Sequence, residues 1–555
     1  MPSVRTPAFA APRRRPRRLA RVAAAALFAA VLAGCGGSGG GNGAGTPSGG
    51  GTTGGLPTQT GCAFHYTLTT STVLTGTDPQ LATQWYLSNT GVSGGIAGED
   101  LRAFDAWATT RGGGVRIAVV DDAIETLHPD LAPNVVTGAS YNYRSGALGS
   151  AYPLPCASDE THGTSVAGVA AARDGNAIGG AGVAPRASLV GYNALSTGFD
   201  ADLADALNRA SADNGVYNSS WGSPDDGRVN AVSASVLAAI DNGISTGRGG
   251  KGSVFVFPGG NGGCYTLDER GQCRSESAGL DGYLNHRGVI PVCAVDAAGR
   301  SAPYAEPGAN VLVCAPSSSD SGPSIFTTAV QAAYRDDFGG TSATVPMVSG
   351  VVALMLSANA ELTWRDVRRI LAKTARRNDP TNAGWTNAYG LWFNHKYGFG
   401  VVDAAAAVAA AKTWSSVGGS ATLKSCGPYT GTPRVALPDA NGALVTPRED
   451  ALAVTRTDCA ITEIEYVEVA FTATHAYSGD LRVRLTSPAG LVSELVGEHV
   501  CEGSGDACGA YDDWRFGSAR HLGEPPAGTW RLQVTDAVTG DTGTWQSWSL
   551  RLWGR

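Results

Sequence analysis

Apolar runs of strand length alternate with longer helix-like stretches between residues 62 and 414. The runs at 115–120 and 253–257 predict buried strands, and each is followed by polar or glycine-rich residues. The apolar stretch at 345–358 predicts a buried helix, and the alanine-rich stretch at 403–412 predicts a helix that closes the domain. This alternation is typical of an α/β domain with a parallel sheet flanked by helices, whose functional residues follow the carboxyl ends of the strands.

The pattern changes after Trp414. Short segments such as 481–485 and 530–534 alternate apolar and polar residues, and Gly, Pro and Asp residues separate them. Such spacing predicts strands with one buried face, joined by tight turns. We therefore expect an all-β sandwich over 422–555, after an α/β domain over 62–421.

The N-terminal segment has the pattern of an export signal. Arginines crowd the first 21 residues, and an apolar run at 22–33 follows them. That run is too short to span a bilayer. It ends in Leu32-Ala33-Gly34-Cys35, which resembles the lipobox at which a bacterial lipoprotein is cleaved and its cysteine lipidated. The alternative is an ordinary signal peptide with a chance cysteine.

Residues 36–61 are almost all Gly, Ser, Thr, Asn and Pro, a composition that gives a flexible tether. We therefore expect a signal peptide over 1–34 and a lipid-anchored tether over 35–61. The protein is then exported and held by Cys35 on a membrane of the bacterial cell envelope, with the outer membrane favoured. If Cys35 is not lipidated, the protein is instead secreted.

The net charge is −7, and removing the first 34 residues, with seven arginines and no acids, leaves about −14. An acidic surface argues against nucleic-acid partners and suits cations and basic substrates, although solubility alone also explains it. We expect a monomer that binds no nucleic acid.

Apart from Cys35, the chain has ten cysteines, an even number that indicates disulfides in an exported protein. The sequence does not fix their connectivity. Close spacing suggests Cys264/Cys273 and Cys501/Cys508; Cys426/Cys459 and Cys293/Cys314 are plausible pairs, and Cys62/Cys156 would be the remainder.

Four polar segments stand at predicted strand ends or helix starts. In chain order they are Val120-Asp121-Asp122, His162-Gly163-Thr164-Ser165, Gly259-Gly260-Asn261-Gly262-Gly263 and Gly340-Thr341-Ser342-Ala343-Thr344-Val345-Pro346. Each alone is typical of a cap or a turn. Together they supply every group that acyl transfer by a serine requires.

A serine hydroxyl is a weak nucleophile, so Ser342 needs a histidine to take its proton, and His162 is the candidate base. A buried carboxylate, here Asp121, fixes the tautomer of that histidine and stabilises its charged form. The developing oxyanion needs donors already in place, which the Asn261 side chain and the Ser342 backbone N–H can supply. The order Asp, His, Ser is that of subtilisin-type triads.

From residue 78 to the C-terminus, the chain resembles the kexin/furin branch of the subtilisin family. Besides the four segments, the resemblance rests on motifs of the α/β domain: Asp78-Pro79, Gln84-Trp85-Tyr86-Leu87, His128-Pro129-Asp130-Leu131, Ser220-Trp221-Gly222, Asp225-Asp226-Gly227, Asp281-Gly282-Tyr283 and Leu362-Thr363-Trp364-Arg365-Asp366. The sandwich resembles a P domain in His475-Ala476-Tyr477-Ser478-Gly479-Asp480-Leu481 and Ala527-Gly528-Thr529-Trp530.

The resemblance implies an endopeptidase that cleaves after basic residues. Asp225 and Asp281 match the acids of the primary pocket, where a buried carboxylate favours Arg or Lys. The remaining substrate-binding positions implied are Asp122, Asp159, Ser220, Trp221 and Gly222. The alternative is that these aspartates cap turns. The chain departs from the family at Ala123, Leu280, Asn208 and Asn230, so we do not expect a strict need for several basic residues.

The resemblance also implies calcium, a cation that binds several oxygen ligands. One site would take the side chains of Asp78, Asp130 and Asn176 and the carbonyls of Arg173, Ile178 and Gly180. A second site would take Asp225, Glu276 and Glu306. The alternative for these acids is ordinary solvation.

Two other functions stay open. One is a broad-specificity subtilisin whose pocket acids serve only calcium. The other is an inert, surface-displayed binding protein in which the sandwich recognises a partner. Between Cys35 and Asp78 no inhibitory pro-domain is recognisable, so a folding chaperone is a candidate partner alongside the peptide or protein substrate.

Overall fold

The structure is a computed structural model that describes residues 56–68, 74–91, 94–263, 276–320, 322–440, 445–501 and 508–555. The predicted signal peptide, Cys35, most of the tether and the pair Cys264/Cys273 lie outside these residues.

A six-stranded sheet forms the centre of the first domain. Its strands are β1 (Arg116–Val120), β2 (Ser188–Tyr192), β3 (Asn214–Asn218), β4 (Val254–Pro258), β5 (Val289–Val295) and β6 (Val313–Pro316). All pairings are parallel, in the order β2-β1-β3-β4-β5-β6. The order reverses at β1, and open parallel sheets place their sites beyond the carboxyl ends of strands at such a point.

Helices cover the sheet, as predicted. They are α1 (Ala103–Trp107), α2 (His162–Ala171), α3 (Asp200–Ala206), α4 (Ala234–Gly250), α5 (Thr341–Ala358), α6 (Trp364–Thr374) and α7 (Ala404–Thr413). Within the described ranges, α5 alone has the length and apolarity of a membrane span, but it is buried in the core against β3, β4, β5 and β6. It begins at Thr341, earlier than the apolar pattern indicated, so its first turn contains Ser342.

Two short antiparallel hairpins complete this domain: β7 (Ile325–Ala329) with β8 (Ala333–Phe338), and β9 (Thr386–Ala388) with β10 (Leu391–Phe393). Helix α7 begins where expected, because the side chain of Asp403 caps it by accepting the N–H of Ala406 at 2.9 Å.

The C-terminal part is an antiparallel β-sandwich, as the alternating pattern predicted. Its strands are β11 (Lys424–Gly431), β12 (Val435–Leu437), β13 (Arg448–Val454), β14 (Ile464–His475), β15 (Leu481–Thr486), β16 (Val492–Val496), β17 (Tyr511–Ser518), β18 (Gly528–Asp536) and β19 (Gly543–Gly554). One sheet has the order β11-β19-β14-β17, with β12 also on β19, and the other has β13-β18-β15-β16. Phe471 and Trp548 of the first sheet share one buried core with Leu485 and Trp530 of the second.

Within the described residues, four disulfides join pairs of the predicted set: Cys62–Cys156, Cys293–Cys314, Cys426–Cys459 and Cys501–Cys508. Cys293 and Cys314 are register partners on β5 and β6, so this bridge crosses two neighbouring parallel strands.

The sandwich packs directly on the first domain. Leu280 and Ala309 of the first domain belong to the buried core of the sandwich. Trp514 Nε1 donates to the carbonyl of Gly279 at 3.1 Å, and the N–H of Gly517 donates to Asn285 Oδ1 at 2.9 Å. The sandwich therefore supports the 279–285 loop, which carries Asp281.

Candidate active site

Asp121 and His162 meet beyond the carboxyl end of β1. Asp121 follows β1, and His162 is the first residue of α2. His162 Nδ1 lies 2.9 Å from Asp121 Oδ1. Asp121 is fully buried, and its Oδ2 has no hydrogen-bond partner. A carboxylate against Nδ1 holds the ring proton there and leaves Nε2 as the acceptor.

The ring of His162 keeps contact with solvent, with 34% of its side chain exposed. Burial disfavours the charged ring, but the charge of Asp121, the hydrogen bond to it and the charge of Asp122 outweigh this effect and raise the pKa of His162 to about 9. The site therefore stabilises an imidazolium, the form that a general base adopts after taking a proton.

Asp122 holds the start of α2. Its Oδ2 accepts the N–H of His162 at 3.0 Å, and its Oδ1 accepts the N–H of Gly163 at 2.8 Å. These are donors of a helix's first turn, which have no partner within the helix. Burial and the charge of Asp121 raise the pKa of Asp122 to about 7. These hydrogen bonds position His162, while Oδ2, which accepts one N–H, keeps a lone pair with which the predicted substrate contact can still form.

Gly163 allows this close packing. A Cβ there would lie 2.5 Å from the carbonyl oxygen of Ala123 and 2.7 Å from the Cβ of Asp121. Asp159, the other acid predicted to contact substrate beside the base, is exposed at the surface three residues before His162. Asp159 is therefore accessible to a substrate, whereas Asp122 accepts hydrogen bonds from the first turn of α2.

Ser342 is half-buried in the first turn of α5, after Gly340 with a φ of 70°. Its hydroxyl donates to the carbonyl of Ser220 at 3.1 Å. A hydroxyl has one hydrogen, so in this rotamer Ser342 does not also donate to His162. Trp221, next to Ser220, donates its Nε1–H to the carbonyl of Val120 at 2.7 Å, which ties the Ser220 segment to the strand end before Asp121.

Thr341 holds the side chain of Asn261 beside the nucleophile. Asn261 Oδ1 accepts both the backbone N–H and the hydroxyl of Thr341, each at 2.9 Å. A backbone N–H can only donate, so the atom facing Thr341 is the carbonyl oxygen and Nδ2 lies on the other side. The amide therefore keeps a free donor group next to the start of α5, as an oxyanion hole requires.

Asp281 is held as an anchored carboxylate. Its Oδ2 accepts the N–H of Ser223 at 2.9 Å, and its Oδ1 accepts the N–H of Tyr283 at 2.7 Å. Burial raises its pKa to about 6. A Cβ on Gly222 would lie 2.8 Å from Asp281 Oδ2, so the glycine leaves room in front of the carboxylate. The predicted segment Ser220-Trp221-Gly222 and the predicted acid are therefore neighbours.

Aromatic rings surround this segment. Trp221 contacts Phe257 and Tyr283 edge-on, with centroids 5.3 Å apart in both cases, and Phe257 stacks on Tyr283 at 5.4 Å. Such packing limits movement of the segment and gives the region around Asp281 an apolar wall. A charged side chain that enters there would find one fixed carboxylate and little competing water.

Asp225, Glu276 and Glu306 form an acidic cluster. Asp225 Oδ1 accepts the N–H of Asn261 at 3.2 Å, and Glu306 Oε1 accepts the N–H of Gly262 at 2.9 Å. Burial and the neighbouring carboxylates raise the pKa of Glu306 well above its usual range, and burial with the charge of Asp225 raises that of Glu276 to about 9. In the described residues, none of the three has a Lys, Arg or His ion-pair partner.

The backbone makes space for this cluster. A Cβ at Gly260 would lie 2.2 Å from Glu306 Oε1, and a Cβ at Gly262 would lie 2.5 Å from Glu276 Oε2. The two glycines thus leave room for the carboxylates to lie close together. The described residues supply no positive charge to balance them. This donor set fits a bound divalent cation.

Asp78, Asp130 and Asn176 form a second group of oxygens. Asp78 accepts the N–H groups of Gly175 and Asn176 at 2.7 and 2.9 Å, and Asn176 Nδ2 donates to Asp130 Oδ1 at 2.7 Å. Asp130 Oδ2 is buried without a hydrogen-bond partner. Burial and the charge of Asp78 raise the pKa of Asp130 to about 7.

The three carbonyls predicted for the same site also lack donors. Among the described residues, no hydrogen bond reaches the carbonyl oxygens of Arg173, Ile178 or Gly180. A buried orphan carboxylate oxygen and unsatisfied carbonyls are the groups that a calcium ion satisfies.

Sequence reasoning missed several residues of the site. Thr341, which orients Asn261, stands next to Ser342 and could have been found from that adjacency. Two further residues could not be found from the sequence, because their contacts join distant parts of the chain. The ring centroid of Phe338 lies 5.6 Å from that of His162, and Trp514 supports the Asp281 loop.

Comparisons with known proteins agree with this geometry. Residues 112–400 match the model of the Subtilase family, and residues 464–552 match that of the Proprotein convertase P-domain. The dibasic-processing endoprotease of Schizosaccharomyces pombe is 35% identical over 487 residues, which cover 86% of this chain and 65% of that protein. Neuroendocrine convertase 2 of Bos taurus is 33% identical over 503 residues, which cover 86% of this chain and 74% of that protein.

Solved structures show the same fold. The serine protease of Aeromonas sobria matches with a TM-score of 0.74 and 28% identity, over 88% of this chain and 97% of that chain. The same protease in complex with its chaperone also matches with a TM-score of 0.74. The chain spans less than two thirds of the Schizosaccharomyces pombe protein.

A subtilisin-like sheet with Asp121, His162 and Ser342 at one edge, followed by an antiparallel sandwich, defines a class of two-domain serine peptidases. The chain belongs to the subtilase family of serine endopeptidases, in its kexin-like branch, and carries a proprotein convertase P domain.

Proposed function

We propose that this chain is an active endopeptidase that cleaves after basic residues, with Asp121, His162 and Ser342 as its catalytic triad. The observation that carries the proposal is the 2.9 Å contact from His162 Nδ1 to the buried carboxylate of Asp121, at the sheet edge where α5 presents Ser342. We also propose that the peptidase domain spans residues 62–421 and that the P domain spans residues 422–555.

The reaction begins when the Ser342 hydroxyl leaves the carbonyl of Ser220 and turns to His162 Nε2. The oxygen attacks the carbonyl carbon of the scissile peptide bond, and its proton passes to Nε2. Asn261 Nδ2 and the N–H of Ser342 stabilise the oxyanion. His162 then gives the proton to the leaving amine as the C–N bond breaks. Water, deprotonated by His162, hydrolyses the acyl-enzyme and frees Ser342.

Asp281 and Asp225 would select the residue before the scissile bond. An Arg or Lys would pair with the anchored carboxylate of Asp281, whereas a neutral side chain would leave it unpaired. One relative is named for dibasic processing, which supports the same preference here. Ser220, Trp221 and Gly222 would contact the substrate backbone, with Asp159 reachable by a further basic residue.

Calcium would occupy the two oxygen clusters. Asp78, Asp130 and Asn176, with the carbonyls of Arg173, Ile178 and Gly180, would hold one ion, and Asp225, Glu276 and Glu306 would hold the other. The ion supplies positive charge that balances carboxylates buried together. The chain's own part is to fix these oxygens and, through Asp225, to hold the backbone N–H of Asn261.

Export and anchoring complete the proposal. The apolar run before Cys35 supports export, and the lipobox supports attachment to a cell-envelope membrane through a lipid on Cys35. The chaperone complex of the Aeromonas sobria protease supports a folding partner for this chain as well. Replacing Cys35 by Ser should move the protein from the membrane fraction to the soluble fraction, and unchanged partitioning would favour an ordinary signal peptide.

The test uses Ser342→Ala, with Ser357→Ala on the same helix as the matched control. The wild type and the control should react with a fluorophosphonate and cleave peptides after Arg or Lys. Ser342→Ala should lose the label and lower kcat by roughly 10⁴-fold or more while remaining folded. A wild type that neither reacts nor cleaves would favour the inert binding protein. Cleavage without preference for basic residues would favour a broad-specificity subtilisin.

A further inference from the structure

A small cavity lies between the peptidase domain and the P domain. Its volume is about 20 Å³, enough for one small occupant. Arg287 and Arg369 line it from the peptidase domain, and Tyr466 and Trp553 line it from the P domain. Neither the triad nor the proposed calcium sites contribute to it.

The lining contains buried donors that have no acceptor. Arg287 Nε, Arg369 Nε, Tyr466 Oη and Trp553 Nε1 are buried without a hydrogen-bond partner, and Arg369 Nη1 reaches only Glu465 Oε1, at 3.5 Å. Arg369 is 3% exposed and Tyr466 is 4% exposed. Buried polar groups are normally paired, so several orphan donors around one cavity indicate a missing acceptor.

The positive charge of the residues that line the cavity also indicates a missing acceptor. Four guanidinium groups line the cavity, against the single carboxylate of Glu465: Arg287, Arg365, Arg368 and Arg369. Arg365 and Arg369 share Glu465, Glu463 is shared between Arg369 and Arg555, and Arg287 pairs with Asp241. Arg368 donates to the carbonyl of Val289 rather than to a carboxylate. Positive charge buried in excess is costly unless a negative charge accompanies it.

We propose that this cavity binds a monatomic inorganic anion, with chloride as its natural occupant, and that the anion stabilises docking of the P domain. A water molecule satisfies the observations less well, because the lining side chains offer its two hydrogens only Tyr466 Oη and the Glu465 oxygens, both of which already accept from Arg365. A halide can accept from several donors at once and has no hydrogen to donate.

An ion can reach the cavity from solvent. A groove of about 620 Å³ runs between the two domains, and Arg287 and Trp553 line both the groove and the cavity. The guanidinium of Arg287 lies over the Trp553 ring, 4.4 Å from its centroid. Small movements of this pair would admit the anion.

The test measures the melting temperature of the full chain in chloride and in gluconate at constant ionic strength. Chloride should raise the melting temperature to a plateau. Tyr466→Phe and Trp553→Phe each remove one donor, so the half-saturating chloride concentration should rise about tenfold or more in both variants. Tyr511→Phe is the matched control, because its hydroxyl is also buried without a partner but lies outside the cavity.

Crystals grown in bromide provide the direct measurement. We expect an anomalous peak within hydrogen-bond distance of Arg369 and Tyr466, and its loss in the two cavity variants with kcat/KM at saturating chloride unchanged. A water molecule at that position, with equal melting temperatures in chloride and gluconate, overturns the proposal. So does a chloride response that Tyr466→Phe and Trp553→Phe leave unaltered or that Tyr511→Phe weakens equally.

Discussion

The guanidinium of Arg365 makes a two-bond ion pair with Glu465 across the interface between the domains, with Nε 2.8 Å from Oε2 and Nη2 2.6 Å from Oε1. The Arg365 side chain is fully buried. Its Nη1 also donates to the carbonyls of Val417, Gly418 and Gly419, in the segment that leads into the sandwich. The motif at 362–366 therefore serves P-domain docking rather than catalysis.

Glu465→Gln should destabilise the protein by about 3–5 kcal/mol, because it leaves the buried charge of Arg365 without its partner. Glu449→Gln is the control, since Glu449 pairs with Arg531 on the surface of the sandwich, where an ion pair contributes about 0–1 kcal/mol. Urea unfolding followed by fluorescence measures both. Equal, small losses in the two variants would show that the interface pair is no stronger than a surface pair.

Asp122→Asn should shift the pH profile of kcat/KM to lower pH. His162 must be neutral to accept the proton of Ser342, so activity rises with pH as the ring loses its proton, at about pH 9. The negative charge of Asp122 helps to raise the pKa of His162, and removing it lowers that pKa. Asp159→Asn, at an exposed acid, should leave the profile in place. An unmoved or upward-shifted profile for Asp122→Asn contradicts this account.

Glu306→Gln should have opposite effects with and without calcium. In chelator, the change removes repulsion among Asp225, Glu276 and Glu306 where Glu306 is ionised, and replaces one neutral group by another where its raised pKa keeps it protonated, so the melting temperature should equal or exceed that of the wild type. In calcium it removes a ligand, so the wild type should be the more stable protein. Asp403→Asn removes a different buried carboxylate, and it should lower the melting temperature equally in both conditions. A wild type indifferent to chelator would remove the proposed metal sites.

The elements that carry the triad could be predicted because their signals are local. The apolar run before Asp121 gave β1, and the apolar stretch after Ser342 gave α5. Open parallel sheets place their functional residues beyond the carboxyl ends of the strands, so Asp121 and His162 could be expected to lie close together.

Other parts of the site depend on contacts between distant residues. The sequence predicted a substrate contact for Asp122, but it gave no sign of the hydrogen bonds that this carboxylate accepts from the N–H groups of His162 and Gly163. Support of the Asp281 loop by Trp514 joins two domains, and no periodicity or spacing reports such a contact. The docking role of Arg365 was equally invisible, because its partner Glu465 lies in a strand of the sandwich.

Asp281→Asn should separate substrate selection from catalysis. An Arg side chain that enters the pocket loses its hydration, and only a fixed carboxylate within reach offsets that cost. Asp281 is anchored by the N–H groups of Ser223 and Tyr283, and Asn retains its shape without its charge. We expect kcat/KM for substrates with Arg before the scissile bond to fall roughly a hundredfold, on the order of 3 kcal/mol.

Substrates with Leu at the same position should change little, since they gain nothing from the carboxylate. Asp226→Asn is the control, because Asp226 accepts hydrogen bonds from Arg228 and Asn230 rather than from the Asp281 loop. The preference for Arg should also weaken in the wild type below about pH 6, where the pKa of Asp281, raised by burial, leaves the carboxyl group protonated. If Arg and Leu substrates lose activity equally in Asp281→Asn, the residue is structural. If the wild type already prefers Leu, Asp281 does not select the substrate, and the acids of this region serve only the protein's own stability.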